Sequence, residues 1–205
     1  MSAYGIDRRV QSYHDFSREK DRLRILASLH EGKAVALVSD AGTPLISDPG
    51  FKLVRSAVEQ SVPVLAIPGA SAVLAALTTS ALPPDRFFFG GFLPAKEAAR
   101  RETLRAALAL PCTAIFYETS TRIEGALEDI VSEAPARPTA LARELTKLHE
   151  TAVRGKAVEV LEFVREEPPR GELVLVIGAE DKPAAAETEI EAALRQALAD
   201  KSLKE

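Results

Sequence analysis

The chain has 205 residues, 46% of them hydrophobic and 27% charged, with a net charge of -4, three histidines and one cysteine. That length supports one large or two small α/β domains, while no apolar run is long enough to span a bilayer and no charged-then-apolar leader opens the sequence, so a soluble cytoplasmic protein is expected. The acidic balance excludes attachment to nucleic acid by overall charge, which needs clustered Lys and Arg, and so few His and Cys argue against a dedicated metal site.

From residue 19 onward, short apolar runs alternate with helical patterns, the signature of a sheet built from βα units. A helix is predicted over 20–29, then a strand over 34–39 that is apolar throughout, as expected for a strand covered on both faces of a parallel sheet. A helix over 51–60, a strand over 62–67 and a helix over 71–80 follow. Leu82-Pro83-Pro84-Asp85 then breaks the pattern, because paired prolines cannot continue a helix, and it reads as the hinge between two lobes, 1–83 and 84–179. The second lobe is read as strands over 87–90, 113–117, 139–143 and 173–178, with helices over 97–108, 121–132 and 158–166. Residues 180–205 read as a linker and the start of a further helix, over 187–199. Cys112 opens the apolar run into Tyr117 and reads as a small buried hydrophobe.

Two loops follow the first two predicted strands. Ser39-Asp40-Ala41-Gly42-Thr43-Pro44 is made of small and turn-forming residues that let backbone approach a ligand closely, at the strand edge where open α/β sheets bind. Ile67-Pro68-Gly69-Ala70-Ser71-Ala72 has Ser71 in place to cap the next helix and hold a polar ligand group on its amides. For each, the bland reading is a turn and a helix cap only, with Asp40 and Asp48 as turn residues. Neither loop has the spacing of a P-loop or a dinucleotide fingerprint. In the second lobe, Tyr117-Glu118-Thr119-Ser120-Thr121-Arg122 and Arg143-Glu144-Leu145-Thr146-Lys147-Leu148-His149-Glu150 crowd charged groups after strands, where they either pair with one another or act on a substrate. Lys96 with Arg100, Arg101 and Arg105, interrupted by Glu97 and Glu102, forms the best local basic patch, with a helix face of i to i+4 pairs as an at least equally fitting alternative.

The run Val35 to Gly50, together with Ile67-Pro68-Gly69-Ala70-Ser71-Ala72, Asp85-Arg86-Phe87, Gly91-Phe92-Leu93-Pro94-Ala95-Lys96, Ile115-Phe116-Tyr117-Glu118, Ala142-Arg143-Glu144-Leu145-Thr146-Lys147 and Gly171-Glu172-Leu173-Val174-Leu175, closely resembles the ribosomal RNA small subunit methyltransferase I family of the tetrapyrrole methylase superfamily. The resemblance implies a two-lobed α/β fold, with a mostly parallel sheet in lobe one and a mixed sheet in lobe two. It implies methyl transfer from S-adenosylmethionine to the 2′-hydroxyl of a cytidine in the decoding region of 16S ribosomal RNA, by a homodimer that holds the cofactor between its lobes. By position, Asp40, Ala41, Gly42, Thr43, Ser71 and Ala72 match the family's cofactor loops, and Tyr117, Ala142 and Leu173 fall near its cofactor contacts in lobe two. Against the family pattern, the first strand and its Thr-Pro-Ile-Gly-Asn-Leu-type loop have no counterpart in this sequence, so it reads as N-terminally truncated.

In-line displacement on a sulfonium depends on holding the acceptor oxygen near the methyl carbon, and a ribose hydroxyl gains from a nearby base and a cation. Glu144 and Lys147 are the candidates for those roles, with Glu118 as the reserve base and Lys96, Arg100 and Arg101 as RNA contacts. Two other readings stand beside this one: a methyltransferase of the same fold acting on a small tetrapyrrole, and a non-catalytic interaction module.

Overall fold

The computed structural model describes residues 5, 10–14, 18–180 and 195. The helix expected over 187–199 lies outside the described residues. The chain divides into two compact units between Ala75 and Ala76, ahead of the Leu82–Asp85 break.

Unit 1 contains α1 (Glu19–His30), α2 (Phe51–Glu59) and the first turn of α3 (Ala72–Ser80), close to the helices read from spacing. Leu53 and Ala57, four residues apart on one stripe of α2, meet Leu26 of α1 in a small core flanked by Tyr13, Ile25, Leu29 and Val62. At the start of α2, Gly50 has φ 136°, and a Cβ there would stand 2.7 Å from Leu37 Cδ2, so glycine is required.

The strands expected over 34–39 and 62–67 are not formed: both segments lack regular secondary structure and belong to no ladder among the described residues. The physical reason is that an apolar, β-branched run reports a preference, and a parallel strand also needs neighbours to pair its amides and carbonyls. Here the side chains lie open, with Val38 55% and Ile67 84% exposed.

Unit 2 holds one mixed sheet of five strands in the order β1-β2-β5-β3-β4: β1 (Phe87–Phe92), β2 (Thr113–Thr119), β3 (Pro138–Arg143), β4 (Thr151–Lys156) and β5 (Glu172–Ile177). The β1–β2 pair is parallel and joined by α4 (Glu97–Leu108); the other pairs are antiparallel. β4 escaped sequence reading because Thr-Ala-Val-Arg-Gly-Lys has little apolar periodicity; it is held as the hairpin partner of β3.

The register sorts side chains between the two faces. Phe116, Leu141 and Leu175 lie in one row of paired residues, facing α4, α5 (Ile123–Glu133) and α6 (Ala157–Glu166). α5 contributes Ile123, Ala126, Leu127 and Ile130, and α6 contributes Ala157, Val160, Leu161 and Val164, each set a single helical stripe that is buried. Each large aliphatic side chain buried this way stabilises the unit by about 1.5–3 kcal/mol. The other face carries Ile115, Tyr117, Val174, Val176, Ala140 and Ala142.

α4 and α5 are clamped by charge. Asp129, 4% exposed, accepts from Arg100 Nε at 2.6 Å and Arg101 Nε at 2.8 Å. Arg105 also pairs with Glu133. Because Arg100 is largely buried, removing its partner strands a charge. Asp129→Ala is therefore expected to destabilise the protein by about 2–3 kcal/mol in chemical denaturation, with Arg100→Met/Asp129→Leu recovering most of the loss.

Candidate functional site

In unit 1, the two glycine-containing loops are joined. Thr43 Oγ1 donates to the Ala70 carbonyl at 3.0 Å, which places the Asp40–Thr43 turn against the Ala70–Ser71 turn. The first turn is shaped locally: Ser39 Oγ donates to Ala41 O at 2.8 Å and accepts from Ala41 N at 3.2 Å, and Gly42 has φ 73°. Beyond it, Leu45 (φ 74°) and Ser47 (φ 56°) hold the left-handed conformation that side chains resist, each at a cost of about 1–3 kcal/mol. Ser71 caps α3 by accepting from Leu74 N at 3.4 Å, and Ala72 is the first helical residue. Hence the Ser71 cap of the bland reading is present, α2 starts at Gly50 with no side-chain cap from Asp40 or Asp48, and the two loops also meet.

At these loops the main chain is uncovered. A Cβ on Gly69 would meet nothing within 4 Å, and one on Gly42 would come no closer than 3.9 Å to Ala70 O, so both backbones are open to approach. The Asp40 side chain has no ion-pair or hydrogen-bond partner among the described residues, which leaves its carboxylate to accept from a ligand hydroxyl or ammonium group.

In unit 2, Tyr117 and Ala142 stand in one cross-strand row on either side of Val174. Leu173 does not join them. Its side chain points to the helix-covered face and is 2% exposed in the core, so it has only main chain to offer on the Tyr117 side.

Glu144 and Lys147 come together. Glu144, with φ 49°, accepts from Lys147 Nζ at 3.1 Å and from Glu172 N at 3.0 Å through the same oxygen, while Lys147 Nζ also donates to Glu172 Oε2 at 3.0 Å. The Glu172 amide and then Lys147 hold the Glu144 carboxyl below its ordinary value, and Glu172 and Glu144 hold the Lys147 ammonium above its own. The pair is thus a fixed carboxylate beside a fixed cation. Gly171 makes the arrangement possible: it has φ 88°, and a Cβ there would collide with Glu144 Oε1. Gly171 and Glu172 are not among the site residues expected from the sequence; their signals there are the Arg-Gly-Glu turn ahead of β5 and their place in the Gly171–Leu175 stretch.

Glu118 is 2% exposed. Its Oε2 accepts from Thr119 N at 2.6 Å and Arg122 Nε at 3.0 Å, whereas its Oε1 is buried with no hydrogen-bond partner among the described residues. In the basic patch, Arg100 and Arg101 are committed to Asp129 and Arg105 to Glu133, and only Lys96 of the four stands exposed with no ion pair among the described residues. Among the described residues no group of three His, Cys, Asp or Glu is gathered for a metal ion.

The model of the Tetrapyrrole (Corrin/Porphyrin) Methylases matches residues 3–161. The chain belongs to that family. It is 47% identical over 173 residues to "Ribosomal RNA small subunit methyltransferase I" of Micromonospora olivasterospora, covering 84% of this chain and 55% of the relative. To the protein of that name from Escherichia coli O157:H7 it is 45% identical over 180 residues, covering 86% of this chain and 63% of the relative. The chain thus spans between half and two thirds of the length of these relatives. A solved structure titled "Crystal structure of the methyltransferase CobJ" shares the fold, with a TM-score of 0.60 at 21% identity, over 86% of this chain and 79% of that one. The α/β class expected from the sequence is therefore that of the methylases.

The Glu144 brace has a pH signature. A lowered carboxyl pKa adds stability that is present above the unfolded value, about 4.3, and is lost as pH falls through the folded value. Glu144→Gln is expected to lower the melting temperature at neutral pH and to converge on the parent in acid, so that the acid limb of the profile is flatter. Gly171→Ala is expected to cost about 1–3 kcal/mol, from strained backbone and a displaced Glu144, read as a lower midpoint in urea.

Proposed function

We propose that this chain carries the cofactor-binding and acid–base residues of a methyltransferase that uses S-adenosylmethionine to methylate small-subunit ribosomal RNA, at the 2′-hydroxyl of a cytidine in the decoding region of the 16S molecule. Two observations support the reading. The relatives at 45–47% identity are named ribosomal RNA small subunit methyltransferase I, and the Thr43–Ala70 hydrogen bond joins the two loops whose residues fit a cofactor. The reading carries with it a cytoplasmic, homodimeric enzyme.

In unit 1, Asp40 accepts from the ligand, the backbones at Ala41, Gly42 and Thr43 approach it closely, and Ser71 and Ala72 present the amide end of α3. In unit 2, Tyr117 supplies side-chain surface, while Ala142, itself buried, and Leu173 supply main chain. S-adenosylmethionine, when bound, provides a methyl group on a positively charged sulfur, which leaves as a neutral thioether. The acceptor 2′-oxygen loses its proton as the new bond forms. Glu144 is the carboxylate that takes that proton and Lys147 the cation that steadies the developing alkoxide; Glu118, expected from the sequence as a reserve base, is buried on the helix-covered face opposite Tyr117 and is not placed to serve. A carboxyl held below its ordinary value is a weak base, so holding the reactants in place provides most of the acceleration.

The test is transfer of labelled methyl from S-adenosylmethionine to purified small subunits and to free 16S ribosomal RNA, with the modified position mapped. Methylation of a decoding-region cytidine supports the reading; methylation of uroporphyrinogen and not RNA replaces it with the tetrapyrrole reading. In calorimetry, Thr43→Val is expected to weaken S-adenosylmethionine binding about fivefold, the worth of one hydrogen bond between loops. Glu144→Gln or Lys147→Ala rates within about threefold of the parent remove that residue from the chemistry.

A further inference from the structure

Six of the aromatic residues, Phe87, Phe88, Phe89, Phe92, Phe116 and Tyr117, are gathered on β1 and β2, and β1 is an edge strand. The register there is interrupted. Phe89 pairs with Ile115 but Phe92 pairs with Tyr117, so one extra residue is inserted at Gly90-Gly91. Both glycines are needed: a Cβ on Gly90 would collide with the Phe116 ring, and Gly91 has φ 69°. Without the insertion, alternation would send Phe92 to the face opposite Phe89. With it, Phe92 returns to the side of Tyr117, the kind of re-aiming for which bulges are used.

The result is a row of three rings. Tyr117 lies between Phe89 and Phe92 at centroid distances of 5.0 and 5.4 Å, with interplanar angles of 67° and 61°. The outer ring, Phe92, is 54% exposed. An aromatic held edge-on by its neighbours and open to solvent loses little freedom when a flat partner stacks on it. Lys96, four residues on, is exposed and has no ion pair among the described residues, because the neighbouring Glu97 pairs with Arg101 at 3.0 Å. An exposed ring and an uncommitted cation four residues apart in the chain are the two kinds of group that hold a base and its phosphate in single-stranded nucleic acid.

We propose that Phe92, aimed by the Gly90-Gly91 bulge and backed by Tyr117, is a stacking platform for an unpaired base of the RNA, with Lys96 meeting the adjacent phosphate. This rests on the reading of the chain as an RNA methyltransferase and names a contact within it. Phe92 is then a binding residue for RNA and makes no contribution to holding the cofactor.

The test is fluorescence anisotropy of the full chain with a labelled single-stranded RNA of about 12 nucleotides drawn from the decoding region, beside calorimetry with S-adenosylmethionine. Phe92→Ala is expected to weaken RNA binding by roughly 5- to 100-fold, as loss of one base–aromatic stack does. Phe92→Tyr is expected to keep RNA affinity within about twofold of the parent, and both variants to bind S-adenosylmethionine as the parent does. Lys96→Ala should lower the salt slope of RNA binding by about one. If the parent binds RNA and Phe92→Ala binds it within about twofold, the platform is wrong while the RNA reading survives. Loss of S-adenosylmethionine affinity in Phe92→Ala would assign the ring to the cofactor and overturn the proposal. A parent that binds S-adenosylmethionine but no RNA would overturn the proposal and the RNA reading with it.

Discussion

Everything that unit 1 offers a ligand depends on one hydrogen bond, from the Thr43 hydroxyl to the Ala70 carbonyl at 3.0 Å. The loops it joins belong to no sheet among the described residues, so local turns and this contact set their geometry. Left-handed Leu45 and Ser47 add strain in the first loop, which such a segment retains only where its surroundings over-determine it. A bond worth about 1 kcal/mol thereby decides whether the two turns act separately or as one ligand edge.

Unit 2 is organised by a different constraint. β5 sits at the middle of the sheet, with Leu173 to Ile177 all at most 4% exposed, so it has to be covered on both faces and paired on both sides. Those pairings put Tyr117, Val174 and Ala142 in one row, and Glu118, Leu173 and Arg143 in another on the reverse face. The turn into β5 then supplies Gly171 and the Glu172 amide, which hold Glu144 against Lys147. Core packing and the charged pair are in this sense one piece of construction.

How much was legible in the sequence follows from what periodicity reports. The stripes of α4, α5 and α6 were readable because spacing of three and four residues is itself what puts Ile123, Ala126, Leu127 and Ile130 on one buried side. The runs at 34–39 and 62–67 misled because composition carries strand preference and not pairing, which is a property of neighbours. Among site residues, Glu144 and Lys147 were visible as a charge cluster, since close sequence spacing also brought them close in space. The side of the sheet on which Leu173 falls needed the register, which sequence alone does not display. Arg100 and Arg101 had been read as a basic patch; their partner Asp129 lies on α5, far along the chain, so the pairing was invisible until the helices packed. The bulge was foreshadowed only by two adjacent glycines after three phenylalanines.

Amide hydrogen exchange of the chain with and without S-adenosylmethionine tests the joined-loop edge most directly. Slowed exchange in 39–47 and in 69–75 together, at one and the same ligand concentration, is the expected result. Protection in only one of these segments, or in neither while binding is detected by calorimetry, would contradict it.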